Sequence, residues 1–332
     1  MTKMNIKKIA EIANVDHSTV SRALSGSPLV RPATKERILQ IAKEYKYVRN
    51  EIARSLKTRK TNIVGLIVSD IKNPFFTEII SATEGHLARE NYNIILCNTN
   101  YSVKKEEKFL NILVSKGVDG IVMSPTSLRD LHTEFFETHR LPNVMLDIKQ
   151  KRLKTNCVYA DQELGGYTAI SYLIKKGHKR IAFLAGPETL SSSEQAIRGY
   201  RKAHARHNIP VDEELILGIP QDYDIAYAET VKLLKSGRRV SAIFALSDFL
   251  CVGVYRALLE AKLSIPEDMA VIGYDDLNLT RILRPSLTTV RQPNSEIGST
   301  AAQLILSAIK EGAAWSPKTV ILKPQLIIRE SA

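Results

Sequence analysis

Ile6-Lys-Lys-Ile-Ala-Glu-Ile-Ala-Asn-Val-Asp-His-Ser-Thr-Val-Ser-Arg-Ala-Leu24 is the stretch on which the reading of this chain turns. Ile6, Ile9, Ala10 and Ala13 recur at i, i+3, i+4 and i+7, which lays one apolar stripe along a first helix. Asn14 follows, and Asn is the side-chain-bearing residue that best tolerates the left-handed backbone of a sharp turn. Asp16 is placed to cap a second helix that turns Val20 and Leu24 inward. His17, Ser18, Thr19, Ser21 and Arg22 then occupy its N-terminal and outer part. Short polar groups beside one forked cation are the equipment for meeting base edges in a major groove. A third helix follows Pro32, with Ile38, Ile41, Ala42 and Tyr45 on its buried stripe. A small basic bundle with a merely solvated charged face would share the periodicity, but not its coincidence with the tight turn and the charge.

That charge is concentrated. Residues 1–60 hold 14 Lys and Arg against 5 Asp and Glu, a net +9 of the chain's formal +12. A basic module on a near-neutral body implies a polyanion partner for that module, with nucleic acid as the first candidate.

The run Ile6 to Val15, then Ser18-Thr-Val-Ser-Arg-Ala-Leu24, resembles the N-terminal signature of the LacI/GalR family of bacterial transcription regulators. Asn50-Glu-Ile-Ala-Arg-Ser-Leu56 is similar to that family's hinge, and the resemblance extends over essentially the whole chain. It implies that Asn50, Ala53, Ser55 and Leu56 join the DNA contacts. Two dyad-related Leu56 side chains would wedge into the minor groove and kink the duplex, although a lone Leu is also an ordinary packing residue. It further implies a periplasmic-binding-protein-like core of two subdomains with three chain crossings between them.

The rest of the composition suits a regulator with a large sensor. At 332 residues, with 44% hydrophobic and 25% charged residues, the chain exceeds one ordinary domain and has globular composition. Cys97, Cys157 and Cys251 match neither a zinc spacing nor an even disulfide framework, so buried thiols are expected and no metal site. No apolar run approaches membrane-spanning length and no signal-peptide core is present, so the expected compartment is the cytoplasm. Gly-x-Ser-x-Gly, Gly-x4-Gly-Lys-Ser/Thr, His-Glu-x2-His and paired Cys motifs are all missing. No enzyme and no cofactor are therefore expected.

Beyond the polar link Thr58-Arg-Lys-Thr61 a strand-then-helix rhythm begins. Ile63 to Val68, Asn93 to Cys97, Gly120 to Met123 and Asn143 to Leu146 form one series of short apolar runs. Ile181 to Leu184, Leu215 to Leu217, Ala242 to Leu246 and Ala270 to Gly273 form another. The fold class expected is α/β, an all-α helix-turn-helix headpiece plus two doubly wound parallel-sheet subdomains. The boundaries drawn are 1–49 for the DNA-binding domain, 50–60 for hinge and linker and 61–332 for the core. Within the core, residues 61–161 with 292–318 form an N-subdomain, and 162–291 with 319–332 a C-subdomain.

Ligands of such sheets bind at the carboxyl ends of the strands. Asp70, Asn73, Phe75 and Phe76 follow the first strand, where the two rings serve either as flat ligand-binding surface or as core. Asp147, Asp248 and Asp275 stand at or just past other strand ends, Asp248 equally well as a helix cap. Asp275, in Gly-Tyr-Asp-Asp, and Gln292, at a crossing, match the family's ligand-contacting positions. Ser191-Ser-Ser-Glu-Gln-Ala-Ile-Arg-Gly-Tyr200 departs from the family pattern, with Ala196 where many members carry an anchoring Arg. Ser192 and Arg198 are the substitutes, or part of a solvated loop. The expectation is an operator-binding dimer, without heptads for a tetramer, gated by a small sugar or sugar derivative in the cleft. Two alternatives stand beside it, the same regulator controlled by a protein co-regulator, and a cytoplasmic sugar-binding or sugar-modifying protein with an incidental basic arm.

Overall fold

In a computed structural model, residues 4–47, 60–126, 130–148, 155–187 and 190–332 are described. The chain divides into two compact units, Met1–Thr61 and Asn62–Ala332. The hinge residues Asn50, Ala53, Ser55 and Leu56 lie outside the described residues.

The first unit is a three-helix module of α1 (Ile6–Ala13), α2 (His17–Leu24) and α3 (Pro32–Glu44). Asn5 caps α1 by accepting from the Lys8 N–H. Asn14 closes α1 at φ 45°, and its N–H and that of Val15 satisfy carbonyls of the last turn. Ile9, Ala10, Ala13, Val20, Ala23, Val30, Ile38, Ile41 and Ala42 form its buried core. Tyr45, expected on the buried stripe of α3, is instead its C-cap and 47% exposed, because the helix ends before the ring can turn inward.

The second unit contains two six-stranded sheets. The first is built from β1 (Ile63–Val68), β2 (Asn93–Asn98), β3 (Gly120–Met123), β4 (Asn143–Leu146), β5 (Asn156–Ala160) and β11 (Thr319–Leu322). The second uses β6 (Ile181–Ala185), β7 (Ile216–Gly218), β8 (Ala242–Ala245), β9 (Ala270–Asp275), β10 (Thr288–Arg291) and β12 (Gln325–Ile327). Their orders are β11-β5-β4-β3-β1-β2 and β12-β10-β9-β8-β6-β7, so each strand has a counterpart at the same place in the other sheet. Pairing is parallel except between β10 and β12. The central strands are buried along their length, as sheets covered on both faces require.

Helices α4 (Pro74–Arg89), α5 (Val103–Ser115) and α6 (Asp130–His139) cover the first sheet. The second carries α7 (Gln162–Lys175), α8 (Ser191–Arg206), α9 (Tyr223–Lys235) and α10 (Asp248–Glu260). Helix α11 (Asn294–Glu311) returns to pack on α4 and on β3, β4 and β5. The chain therefore changes sheets after β5 and again after β10. The third change corrects the expectation near Thr319. Thr319–Leu322 pairs with β5 in the first sheet, so the exchange falls at Lys323-Pro324, where a short polar break follows the ladder. Helices α7 and α8 cross backbone to backbone, since a Cβ on Gly199 would overlap the carbonyl of Glu163.

Candidate functional site

The first candidate surface is the outer face of α2. Asp16 accepts from the Ser18 N–H at 2.8 Å, and the hydrogen bonds from Ser18 hold its carboxyl below the ordinary value. Val20 and Ala23 fill the core. His17 and Arg22 are exposed, and Ser18, Thr19 and Ser21 are half-buried. All five anticipated residues thus lie on the first turn or the outer side of one capped helix. Such a face presents short donors on the first turn and one long guanidinium on the last turn of a single helix, which is equipment for major-groove reading.

The second surface is a narrow cavity between the two sheets at the carboxyl ends of their strands, of about 70 Å³ and partly open to solvent. From the first sheet come Ser69 after β1, Ser124, Pro125 and Thr126 after β3, and Asp147 after β4. From the second come Leu246 and Ser247 after β8, and Tyr274 and Asp275 of β9. The sheet orders make β4 and β9 counterparts, so the two aspartates are equivalent residues of the two halves facing one space. Both hold left-handed backbone, Asp147 at φ 56° and Asp275 at φ 111°, and strain of this kind collects at functional sites.

Burial sets the charge of these acids. It pushes the Asp147 carboxyl up to about 6, against hydrogen bonds from Gln162 and Ser192 that favour its ionised form. Asp275 is pushed up by burial too, with further repulsion from Asp147 and Glu78, while Gln292 and Ser247 donate to it at 2.7 and 3.1 Å. Because the folded value of Asp147 lies above the unfolded one, its contribution to stability is full at low pH. It is lost as pH rises from about 4 through 6. Asp147→Asn removes that loss, so thermal melts of wild type and variant should diverge by several degrees between pH 4 and 7, the wild type falling faster. Parallel melting curves across this range would show that the Asp147 carboxyl titrates normally.

Of the residues singled out from the sequence, Asn73, Phe75, Phe76, Asp147, Ser192, Asp275 and Gln292 line this cavity. Phe75 and Phe76 answer both readings, since they also belong to the core of the first sheet, edge to face at 5.0 Å. Three others are elsewhere. Asp70 turns back on its own loop and accepts from the Lys72 N–H, because an aspartate two residues before a backbone donor closes a local turn. Arg198 is on the outer face of α8, paired with Glu194 and Glu163. Asp248 is not the cap, which is Ser247; it lies beneath the cavity and accepts from the Leu277 N–H at 2.8 Å and Thr289 Oγ1 at 2.6 Å. Burial raises its carboxyl well above the ordinary range, reinforced by Asp275. It staples α10 to the β9 and β10 ends. Ala196 is fully buried among the residues that pack α7 and α8 on the second sheet.

Sequence reasoning missed Ser69, Tyr101, Thr126, Gln162, Gln221 and Tyr274 among the lining residues. Several follow strand ends, and that position was the available signal. A further device lay out of reach of periodicity. Glu106 of α5, fully buried, accepts from the N–H and Oγ1 of Thr126, both at 2.7 Å, and is 3.1 Å from Nε2 of buried His132. Burial pushes the Glu106 carboxyl up, but the bonds from His132 and Thr126 outweigh it and leave it below its ordinary value. The carboxylate thereby ties down the wall segment that follows β3. Glu106→Gln keeps the shape but exchanges an acceptor oxygen for a donor, and should destabilise the chain by about 1–3 kcal/mol. Chemical denaturation checks this, and an unchanged midpoint would mean the segment is held by other bonds.

Among the described residues no group of His, Cys, Asp or Glu could hold a metal ion, and no helix is long and apolar enough to cross a membrane. A capped recognition helix in one unit and a carboxylate-lined cleft between paired α/β sheets in the other define the class of ligand-responsive DNA-binding regulators. Residues 5–50 match the family model for bacterial regulatory proteins of the lacI family, and residues 170–332 the periplasmic binding protein-like domain. The chain is 31% identical to the HTH-type transcriptional repressor PurR of Vibrio parahaemolyticus and 32% identical to the ribose operon repressor of Haemophilus influenzae, in each case over 98% of both chains. A solved LacI family transcriptional regulator from Enterococcus faecium with bound ribose is 30% identical with a TM-score of 0.72, covering 81% of this chain and 98% of its own. The chain belongs to the lacI family and is a sequence-specific DNA-binding transcriptional regulator.

Proposed function

We propose that this protein is a repressor that binds a palindromic operator as a homodimer and is gated by a small sugar-like effector in the cleft between its two sheets. The observation that carries the gating is the pair Asp147 and Asp275, equivalent strand-end acids from the two halves facing one cavity. A ligand bridging them binds best when both halves close on it, so it favours one arrangement of the core over another. His17, Ser18, Thr19, Ser21 and Arg22 read each half-site, and residues 50–60, with Asn50, Ala53, Ser55 and Leu56, contact the DNA between the half-sites. Asn73, Phe75, Phe76, Asp147, Ser192, Asp275 and Gln292 hold the effector. The ribose operon repressor among the relatives and the ribose-bound regulator among the solved structures favour a sugar.

The boundaries that follow are a headpiece of 1–49, a hinge and linker of 50–60 and an effector-binding, dimerising core of 61–332. Coupling between effector and operator is reciprocal, so each ligand shifts the other's affinity by the same factor. The test is calorimetry of the full chain with D-ribose, D-xylulose and cellobiose, followed by operator titrations with and without the tightest binder. A sugar that binds and changes operator affinity sustains the reading. If none of the three binds, the cleft does not serve a ligand of this class.

A further inference from the structure

The two crossings after β5 and β10 each carry a buried glutamine, Gln162 at the first position of α7 and Gln292 just before the cap of α11, 2% and 6% exposed. The Gln162 amide nitrogen donates to Asp147 Oδ1 at 3.1 Å and to Gln292 Oε1 at 2.8 Å. The Gln292 amide nitrogen in turn donates to Asp275 Oδ1 at 2.7 Å. An unbroken chain of hydrogen bonds, Asp147 to Gln162 to Gln292 to Asp275, therefore runs from one subdomain to the other across the crossing segments.

One interior member of this chain is unfinished. Oε1 of Gln162 is buried and has no hydrogen-bond partner, and Gln162 lines the cavity. The hydroxyl of Tyr274, another lining residue, is equally buried and unpartnered. Space for that hydroxyl is kept by Gly165, where a Cβ would overlap it. Buried polar atoms are nearly always satisfied, so unpartnered atoms in a cavity wall point to groups on an occupant.

We infer that Gln162 is the residue through which the cleft ligand engages the crossing, its carbonyl accepting a ligand hydroxyl while its amide holds Asp147 and Gln292. This rests on the proposed effector role of the cleft and specifies the ligand chemistry. The Gln162 carbonyl and the ionised forms of Asp147 and Asp275 are acceptors, so the complementary occupant is rich in donors. No Lys or Arg is among the described lining residues, so the wall offers no cationic side chain to pair with an anion. The ligand is accordingly an uncharged polyhydroxy compound in preference to its phosphate or acid. Gln162 also gives that ligand a mechanical role. Removing the amide uncouples the two acids, and a ligand that completes the chain tightens the link between the halves.

Calorimetry on the full-length chain tests this with D-ribose, D-xylulose and cellobiose, D-ribose 5-phosphate, and deoxy analogues of whichever neutral sugar binds most tightly. The expected result is that a neutral sugar binds best and that one deoxy analogue binds at least tenfold more weakly. In Gln162→Met, of similar shape but without hydrogen bonds, that sugar should lose at least tenfold in affinity and its advantage over the deoxy analogue should vanish. Gln162→Asn, with an amide too short to span the crossing, should behave alike and serves if the Met variant fails to fold. A folded variant with unchanged affinity and unchanged discrimination overturns the role of Gln162 while leaving the cleft's function standing. Tightest binding by the phosphate overturns the ligand chemistry, and binding of none of these compounds overturns both this inference and the effector role.

Discussion

Asp275→Asn should cost the effector about ten- to a hundredfold in affinity, and the effector should lose most of its influence on operator binding. The reason is local. A buried ligand donor left without its acceptor costs roughly 1–3 kcal/mol, and the amide puts a donor at one wall position where an acceptor was required. The wild-type carboxyl also organises the wall, receiving Gln292 on one oxygen and Ser247 on the other. Asn is the informative substitution because it matches the shape of Asp and, like Asp, tolerates left-handed backbone, which the φ of 111° demands. Ala would mix loss of the carboxyl with backbone strain. Calorimetry with the effector identified for the wild type provides the check, and undiminished affinity would place Asp275 outside the contact set.

The second large effect is expected on the DNA side. Arg22→Ala should weaken cognate operator binding by about 1–3 kcal/mol, about five- to 150-fold, and relax base preference at one position in each half-site. Arg22 is exposed on the outer side of α2, the long forked cation of a face otherwise made of His17 and short hydroxyl side chains. Gel-shift titrations against the cognate operator, single-base variants and random DNA separate the possibilities. Equal weakening on every sequence would reassign Arg22 to a phosphate contact, whose removal instead flattens the salt dependence by about one unit.

Much of this architecture was legible in the chain because its signals are local. The stripe of Ile6, Ile9, Ala10 and Ala13, the left-handed turn at Asn14 and the cap at Asp16 each depend on residues within one or two turns. The apolar runs of the sheets are similarly self-announcing, since a strand buried on both faces must be apolar throughout. Strand ends were legible for the same reason, and with them Asp147, Asp275 and the neighbourhood of Ser247.

What periodicity could not reveal was direction and partnership. Asp70, Asp248 and Asp275 all follow or end strands, yet only Asp275 among these three faces the cavity. Asp70 is taken by a neighbouring N–H two residues away, while Asp248 is taken by Leu277 and Thr289, distant in sequence. Arg198 looked available until α8 set it beside Glu194 and Glu163. Thr319–Leu322 has the apolar content of either sheet's edge, and pairing with β5 settled which one. The sequence by itself determined the helical headpiece, the two-sheet core and the strand ends where a ligand would sit, because those follow from residue spacing and burial. Only the tertiary structure decided which polar groups face one another, as in the clasp of Glu106 on Thr126 and the chain from Asp147 to Asp275. Hydrogen bonds between residues 15 to 130 positions apart leave no trace in local periodicity.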